Sequence, residues 1–154
     1  MLTLIEDSRQ QKNKHEAKHA WWAEHSVKLI RCKLVVGDYA LMPSLSKIID
    51  TKADMSEIAQ NIGGGKEEHK RFINELKLAQ DLGVQLFVLV ENTEGYEVID
   101  DCVAWRNPRT KYSPKCIQGP RLAKAMHTIE SRYGCVFMFC HPDEAAETII
   151  DLLR

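Results

Sequence analysis

The run from Val84 to Val90 most constrains the fold, because every residue in it except Gln85 is apolar. A strand with one face in water alternates apolar and polar residues, whereas a strand covered on both faces reads as a continuous apolar run. Cys135 to Cys140 repeats the pattern near the end of the chain. Two such strands need helices on both faces of their sheet, which indicates an α/β fold.

The remaining segments supply those helices and further strands. Leu2 to Ile5 reads as a buried strand followed by acids, and Gly83 closes a strongly amphipathic helix. We predict one domain with a mixed sheet. Its other expected elements are a helix ending near His25, a strand over Val27–Tyr39 bent at Gly37, a strand within Lys47–Lys52, a short helix capped by Asp54 or Ser56, a helix over Pro120–Tyr133 and a final helix after Asp143.

Composition sets the cellular context. The five cysteines are odd in number and form no CxxC motif, which favours free thiols in a reducing, cytoplasmic compartment. No apolar run approaches the roughly 20 residues of a membrane span, so we expect no membrane partner. The net charge is −1, so any nucleic-acid site must come from local positive charge.

A predicted hairpin brings two acids together. If its turn is centred near Ser44, antiparallel pairing places Asp38 opposite Asp50, and Lys52 follows on the same face. Directly opposed like charges are destabilising unless something compensates them. A divalent cation would do so.

These segments carry a family resemblance. Together, LIEDSR, VGDYAL, IIDTK and LFVLVEN resemble the nuclease domain of XPF-type structure-specific endonucleases, within the PD-(D/E)xK restriction-endonuclease-like superfamily. The resemblance implies a three-layer α/β sandwich around a central mixed sheet. It covers residues 1–154 as a single nuclease domain without a helix-hairpin-helix module.

The resemblance also implies an activity and a site. It implies a Mg²⁺- or Mn²⁺-dependent endodeoxyribonuclease that cuts branched or flapped DNA in repair, recombination or phage DNA processing. Asp7, Asp38 and Asp50 would bind metal, and Asp38, Asp50 and Lys52 would be catalytic. A homodimer is implied as well, and the absent helix-hairpin-helix module suggests a separate DNA-targeting partner protein.

Three departures from the family pattern support an alternative function. Asp50 stands where the family has Glu, Gln10 where it has an acid after the arginine, and Ser56 where an acid follows the lysine. The alternative is a catalytically weakened module of the same fold that binds DNA or dimerises.

Local positive charge predicts the DNA contacts. No acid lies between Cys102 and Ile129, while Arg106, Arg109, Lys111, Lys115, Arg121 and Lys124 accumulate there with Trp105 and Tyr112 between them. Phosphate binding by cations and base stacking on aromatic rings both suit such a stretch. Arg9 after the first strand, and a second cluster with Lys66, Lys70 and Arg71, complete the predicted DNA-binding set.

Two further patterns have alternative interpretations. His15, Glu16 and His19 spell the HExxH motif of zinc metalloproteases, in which two histidines one helical turn apart share a metal. A zinc protease is therefore a remote alternative. Leu122, Met126, Ile129 and Tyr133 form an apolar helix face that suits either a dimer contact or the core of the chain itself.

Overall fold

The computed structural model describes all residues from 1 to 154. Its six strands form one sheet in the order β2-β1-β3-β4-β5-β6. The strands are β1 (Leu2–Asp7), β2 (Val27–Cys32), β3 (Tyr39–Leu41), β4 (Lys47–Lys52), β5 (Gln85–Glu91) and β6 (Val136–Cys140). The helices are α1 (Glu16–Glu24), α2 (Met55–Gly63), α3 (Lys66–Leu82), α4 (Gly119–Tyr133) and α5 (Ala145–Leu153), with short 3₁₀ helices at Ile99–Ala104, Pro108–Lys111 and Pro142–Glu144.

The sheet is mixed, as the sequence predicts. Strand β3 runs antiparallel to both of its neighbours, β1 and β4, whereas β1 with β2, β4 with β5 and β5 with β6 are parallel pairs. Strands β1 and β4 therefore point the same way. Their carboxyl ends meet the start of β3 at one edge of the sheet.

Helices cover both faces of the sheet, which confirms the three-layer α/β sandwich. On one face, Val88 of β5 packs in a core with residues of α2, α3 and α4, such as Leu76 and Met126. On the other face, the next residue, Leu89, packs with Trp22 of α1 and Ile149 of α5. The apolar run of β5 is thus buried on both sides, although the strand lies second from the sheet edge.

The prediction of one long strand over Val27–Tyr39 is wrong. Strand β2 ends at Cys32 and lies on one side of β1, while β3 begins at Tyr39 and lies on the other side. The connecting residues 33–38 cross the carboxyl end of β1. Gly37 has a φ of +75°, and a Cβ there would lie 2.3 Å from Ile48 Cγ2, so the bend requires glycine.

Several predicted boundaries are confirmed. The Asp54 side chain caps α2 by accepting a hydrogen bond from the Glu57 backbone N–H, and Gly83 ends α3 in the left-handed conformation. Leu122, Met126 and Ile129 of α4 are buried in the core of the chain itself, so this stripe does not provide a free dimer face. None of the helices has the length and apolar character needed to cross a membrane.

Candidate active site

Acidic residues gather where β1 and β4 end and β3 begins. Tyr39 pairs with Ile49 and Ala40 with Ile48, and the ladder ends there, with Asp38 and Asp50 as the next residues of the two segments. The register is therefore the one that equal distance from Ser44 predicts. The backbone N–H of Asp38 donates a hydrogen bond to the Ile49 carbonyl at 2.7 Å.

Three cavities with shared walls surround these residues. Five residues each line two of the three, namely Asp38, Asp50, Lys52, Glu57 and Glu75. The cavity of about 420 Å³ is also lined by Asp7 and Arg9. The cavity of about 380 Å³ is also lined by His15, Lys18 and Glu91. The cavity of about 480 Å³ is also lined by Glu68, Arg71 and Phe72. The structure thus brings every predicted metal and catalytic residue to one region of the surface.

Asp50 is a buried carboxylate with few partners. Its side chain lies in an ion pair with Lys52, whose Nζ is 3.0 Å from Asp50 Oδ2, and no other donor reaches this buried oxygen. Burial raises the pKa of Asp50 well above its usual range, although the charge of Lys52 opposes this. A buried carboxylate with so few donors is costly.

Lys52 is held in place from two sides. Besides Asp50, its Nζ lies 5.2 Å from the centre of the Phe72 ring, within the range of a cation–π contact. Burial works against the charge of Lys52, but the charge and contact of Asp50, together with the charges of Glu75 and Glu57, outweigh it, so the pKa of Lys52 is raised. Lys52 is therefore protonated at neutral pH and can stabilise negative charge but cannot act as a base.

Asp38 and Asp7 differ from Asp50 in having backbone hydrogen-bond donors. Asp38 Oδ2 accepts from the Thr51 backbone N–H and hydroxyl, both at 2.8 Å. Asp7 Oδ1 accepts from the Leu34 backbone N–H at 2.8 Å, and Oδ2 accepts from Arg9 Nε at 2.7 Å. The hydrogen bond to Asp7 is the main reason that the pKa of Arg9 is raised.

These contacts give Asp7 and Arg9 a local structural role. Arg9 Nη2 also donates to the Leu34 carbonyl at 2.9 Å. Asp7 and Arg9 together therefore stabilise the position of residues 33–38, which cross the carboxyl end of β1. The charge of Arg9 is compensated by Asp7, which makes it a weaker phosphate contact than a free arginine.

Glu75 is a site residue that the sequence reasoning missed. It reaches the site from α3, and its Oε1 accepts a hydrogen bond from the Gly37 backbone N–H at 3.0 Å, next to Asp38. Burial raises its pKa, which the charge of Lys52 opposes. The available signal was an acid on the apolar face of this helix, since Phe72, Glu75, Leu76 and Ala79 follow helical spacing.

The predicted DNA-binding residues divide into two groups. Arg71 and Arg9 line cavities of the site, whereas Lys66, Arg106, Arg109 and Lys111 line none of the three. Trp105 is only 5% exposed and belongs to the core, so the prediction that it stacks on bases is wrong. Tyr112 is 87% exposed and remains available.

The HExxH motif does not form a zinc site. Helix α1 begins at Glu16, so His15 lies at its N-cap, where its carbonyl accepts a hydrogen bond from the His19 backbone N–H at 3.0 Å. His15 Nε2 lies 2.7 Å from the Gln10 side chain, while His19 Nε2 lies 2.8 Å from Glu6. No three His, Cys, Asp or Glu side chains are arranged to share a metal ion. The protease alternative therefore has no structural support.

A divalent cation at the acidic site would rely on few protein ligands. Asp38 and Asp50 share two cavities, and Asp50 Oδ2 is a buried oxygen that only the Lys52 ammonium reaches, so a cation suits this position. Since no three acids converge, most of the remaining ligands would be water. Mg²⁺ commonly binds in this way, through one or two carboxylates and several waters.

The sheet order, its two helical layers and the acids at one edge define the α/β class that the sequence predicts. Solved structures that share this fold include two of XPF from Aeropyrum pernix. One has a TM-score of 0.67 and 22% identity over 99% of the present chain and 63% of its own length. The other, in complex with DNA, has a TM-score of 0.68 and 22% identity over 100% and 64%. The present chain thus spans less than two thirds of either protein.

No family model and no curated protein matches the sequence. The similarity to the XPF structures therefore shows that this chain has the same fold.

Proposed function

We propose that this protein is a divalent-metal-dependent endodeoxyribonuclease. The observation that carries the proposal is the arrangement of Asp38, Asp50 and protonated Lys52 around a shared cavity, with the Lys52 ammonium as the one group that reaches the buried Asp50 Oδ2. DNA as the substrate is supported by the basic residues near the site and by a structural neighbour that is in complex with DNA. The proposed substrate is branched or flapped DNA.

Each residue has a role in the proposed reaction. A Mg²⁺ or Mn²⁺ ion, when bound, polarises a phosphoryl oxygen and lowers the pKa of a bound water. Asp38 and Asp50 would hold this ion. Lys52, fixed by Asp50 and Phe72, presents its ammonium group to the negative charge that develops on the phosphate.

Two acids position these groups rather than bind substrate. Glu75 holds the backbone N–H of Gly37 and so fixes the turn that carries Asp38. Asp7 holds the N–H of Leu34 and pairs with Arg9, which fixes the other end of the same crossing segment. Arg71, in the cavity next to Lys52, is the best placed of the basic residues to contact a neighbouring phosphate.

A second candidate function is a DNA-binding module without cleavage. The observation that favours it is the pairing of Asp7 with Arg9, because it leaves no group of three acids that shares a metal. In this case the raised pKa of Asp50 and its pairing with Lys52 would be remnants of a nuclease site.

Cleavage assays distinguish the two functions. Purified protein is incubated with linear, forked and flapped DNA in Mg²⁺, in Mn²⁺ or in EDTA. The wild type is expected to cut in either metal, and Lys52→Ala or Asp50→Ala to lower the cleavage rate by about 10²–10³-fold, the typical effect of removing one electrostatic stabiliser. Retained DNA binding and an unchanged circular dichroism spectrum would show that these variants are folded.

A matched control is Asp81→Asn, which removes an exposed carboxylate from α3. It is expected to cut at the wild-type rate. Undiminished cleavage by both Lys52→Ala and Asp50→Ala would rule out the assigned site. Binding of DNA by a wild type that cuts none of the substrates in either metal would favour the non-catalytic module.

A further inference from the structure

A second concave surface lies on the helical layer, away from the acids. It is a groove of about 600 Å³, formed by the end of α2, by α3, by α4 and by the loop before α4. Helices α2 and α3 contribute Ile62 and Ile73 to this groove, and Asn61 and Phe72 to a cavity of the candidate active site. The two concave surfaces therefore lie on either side of this helix pair. The groove is called the α4 groove below.

The α4 groove is strongly cationic. Lys115, Arg121, Lys124 and Arg132 line it together with His69, and no Asp or Glu is among its lining residues. None of the four cations takes part in an ion pair. Because the whole chain has a net charge of −1, this concentration of uncompensated positive charge is local. Such a surface fits an anionic ligand.

The floor of the groove is apolar. It is formed by the side chains of Ile62, Ile73, Ile117, Ile129 and Tyr133. A surface with a cationic rim and an apolar, partly aromatic floor suits single-stranded nucleic acid, whose phosphates contact the rim while its bases turn inward. A duplex cannot do this, since its bases are stacked inside and only its phosphates and groove edges are accessible.

We propose that the α4 groove binds a short single-stranded segment of DNA. The cations on α4 extend from Arg121 to Arg132, which at 1.5 Å per residue is about 16 Å. This length corresponds to about five nucleotides at the B-form rise of 3.4 Å per strand. The choice of DNA as the ligand rests on the proposed function, but binding in the groove does not depend on cleavage.

Charge-neutralising variants test the groove. Arg121→Gln/Lys124→Gln removes two rim cations, and Lys28→Gln/Lys77→Gln removes two exposed lysines that do not line the groove. Binding is measured by fluorescence anisotropy in EDTA at several salt concentrations. The probes are an oligothymidine, a duplex of the same length, and the same duplex carrying the oligothymidine as a flap.

The groove variant is expected to bind the oligothymidine and the flap at least about tenfold more weakly, and the duplex within about twofold of wild type. Its salt dependence on the single strand should fall by about 1.4 in slope, because each phosphate contact contributes about 0.7. The control variant should retain wild-type affinity for all three probes.

Other outcomes overturn the proposal. Equal loss on the duplex and the single strand would show a general phosphate surface. Wild-type binding by the groove variant would exclude the groove as a DNA site. A shift in sedimentation from dimer to monomer, with DNA affinity unchanged, would assign the groove to a second copy of the chain.

The EDTA measurement separates this proposal from the nuclease proposal. If the wild type cuts DNA and the groove variant binds normally, only the groove proposal fails. If the groove variant loses single-strand binding and the wild type cuts nothing, only the nuclease proposal fails.

Discussion

Two buried carboxylates on neighbouring parts of the sheet differ in what surrounds them. Glu6 of β1 is 0% exposed and receives donors from three residues: Tyr39 Oη at 3.1 Å, His19 Nε2 at 2.8 Å and the Arg31 guanidinium. Asp50 of β4 is 6% exposed, and its Oδ2 has only the Lys52 ammonium nearby. Both are acids near the end of a strand, and sequence alone does not separate them.

The difference teaches which of the two acids is available for chemistry. A buried carboxylate with a full set of donors is part of the structure, because a ligand would have to displace those donors. Asp50 lacks such a set, and burial raises its pKa, so its charged form is stabilised poorly by the protein alone. A bound cation would supply the positive charge that stabilises the ionised form of Asp50.

The largest expected effect is on stability. Glu6→Gln leaves Arg31 and His19 without their carboxylate, and breaking a buried ion pair in this way costs about 3–5 kcal/mol. Asp50→Asn is expected to lower the free energy of unfolding by less than Glu6→Gln, because burial disfavours the charge of Asp50 and so offsets part of the cost of leaving Lys52 without its partner. Urea denaturation in EDTA measures both values. Equal losses in the two variants would contradict the comparison.

Cation binding should also distinguish Asp50 from Glu6, through a smaller change in the free energy of unfolding. Mn²⁺ at 100 times its dissociation constant is expected to raise the free energy of unfolding of the wild type by about 2.7 kcal/mol. Glu6→Gln, where it folds, and Asp81→Asn should show the same gain, whereas Asp50→Asn should show none. Urea denaturation with Mn²⁺ or EDTA provides the measurement. An unchanged gain in Asp50→Asn would place any ion elsewhere.

The sequence predicts the parts of the fold that depend on local periodicity. The apolar runs of β5 and β6, the glycine that ends α3 and the Asp54 cap each follow from a few adjacent residues. The register of β3 against β4 was also predictable, because a tight turn fixes the register of the two strands that it joins.

The parts that failed depend on contacts between distant segments. The split between β2 and β3 arises because both strands pair with β1, on opposite sides. Glu75 reaches Gly37 across 38 positions of the chain, and Trp105 is buried by packing of the region before α4. No local sequence pattern predicts which distant segment of the chain will pack against a given residue. The same limit applies to the pairing of Asp7 with Arg9.

The smallest expected effect is on the pH dependence of stability. Burial raises the folded-state pKa of Asp50, and also those of Glu57 and Glu75. In the pH range above the usual Asp value of 3.8 and below the raised value, the folded state holds protons that the unfolded state has lost. The contribution of such a group to stability therefore falls as pH rises, by at most about 1.4 kcal/mol per pH unit for one proton.

Asp50→Asn removes one of these groups. The free energy of unfolding of the wild type minus that of Asp50→Asn, measured by urea denaturation in EDTA, is therefore expected to fall as pH rises from about 4.5 to 7. The same difference for Glu6→Gln should stay positive at neutral pH, because the variant removes the carboxylate that Arg31, His19 and Tyr39 contact. A pH-independent difference for Asp50→Asn would show that Lys52 satisfies Asp50 as fully as Arg31, His19 and Tyr39 satisfy Glu6, and the distinction between a structural and an available carboxylate would be lost.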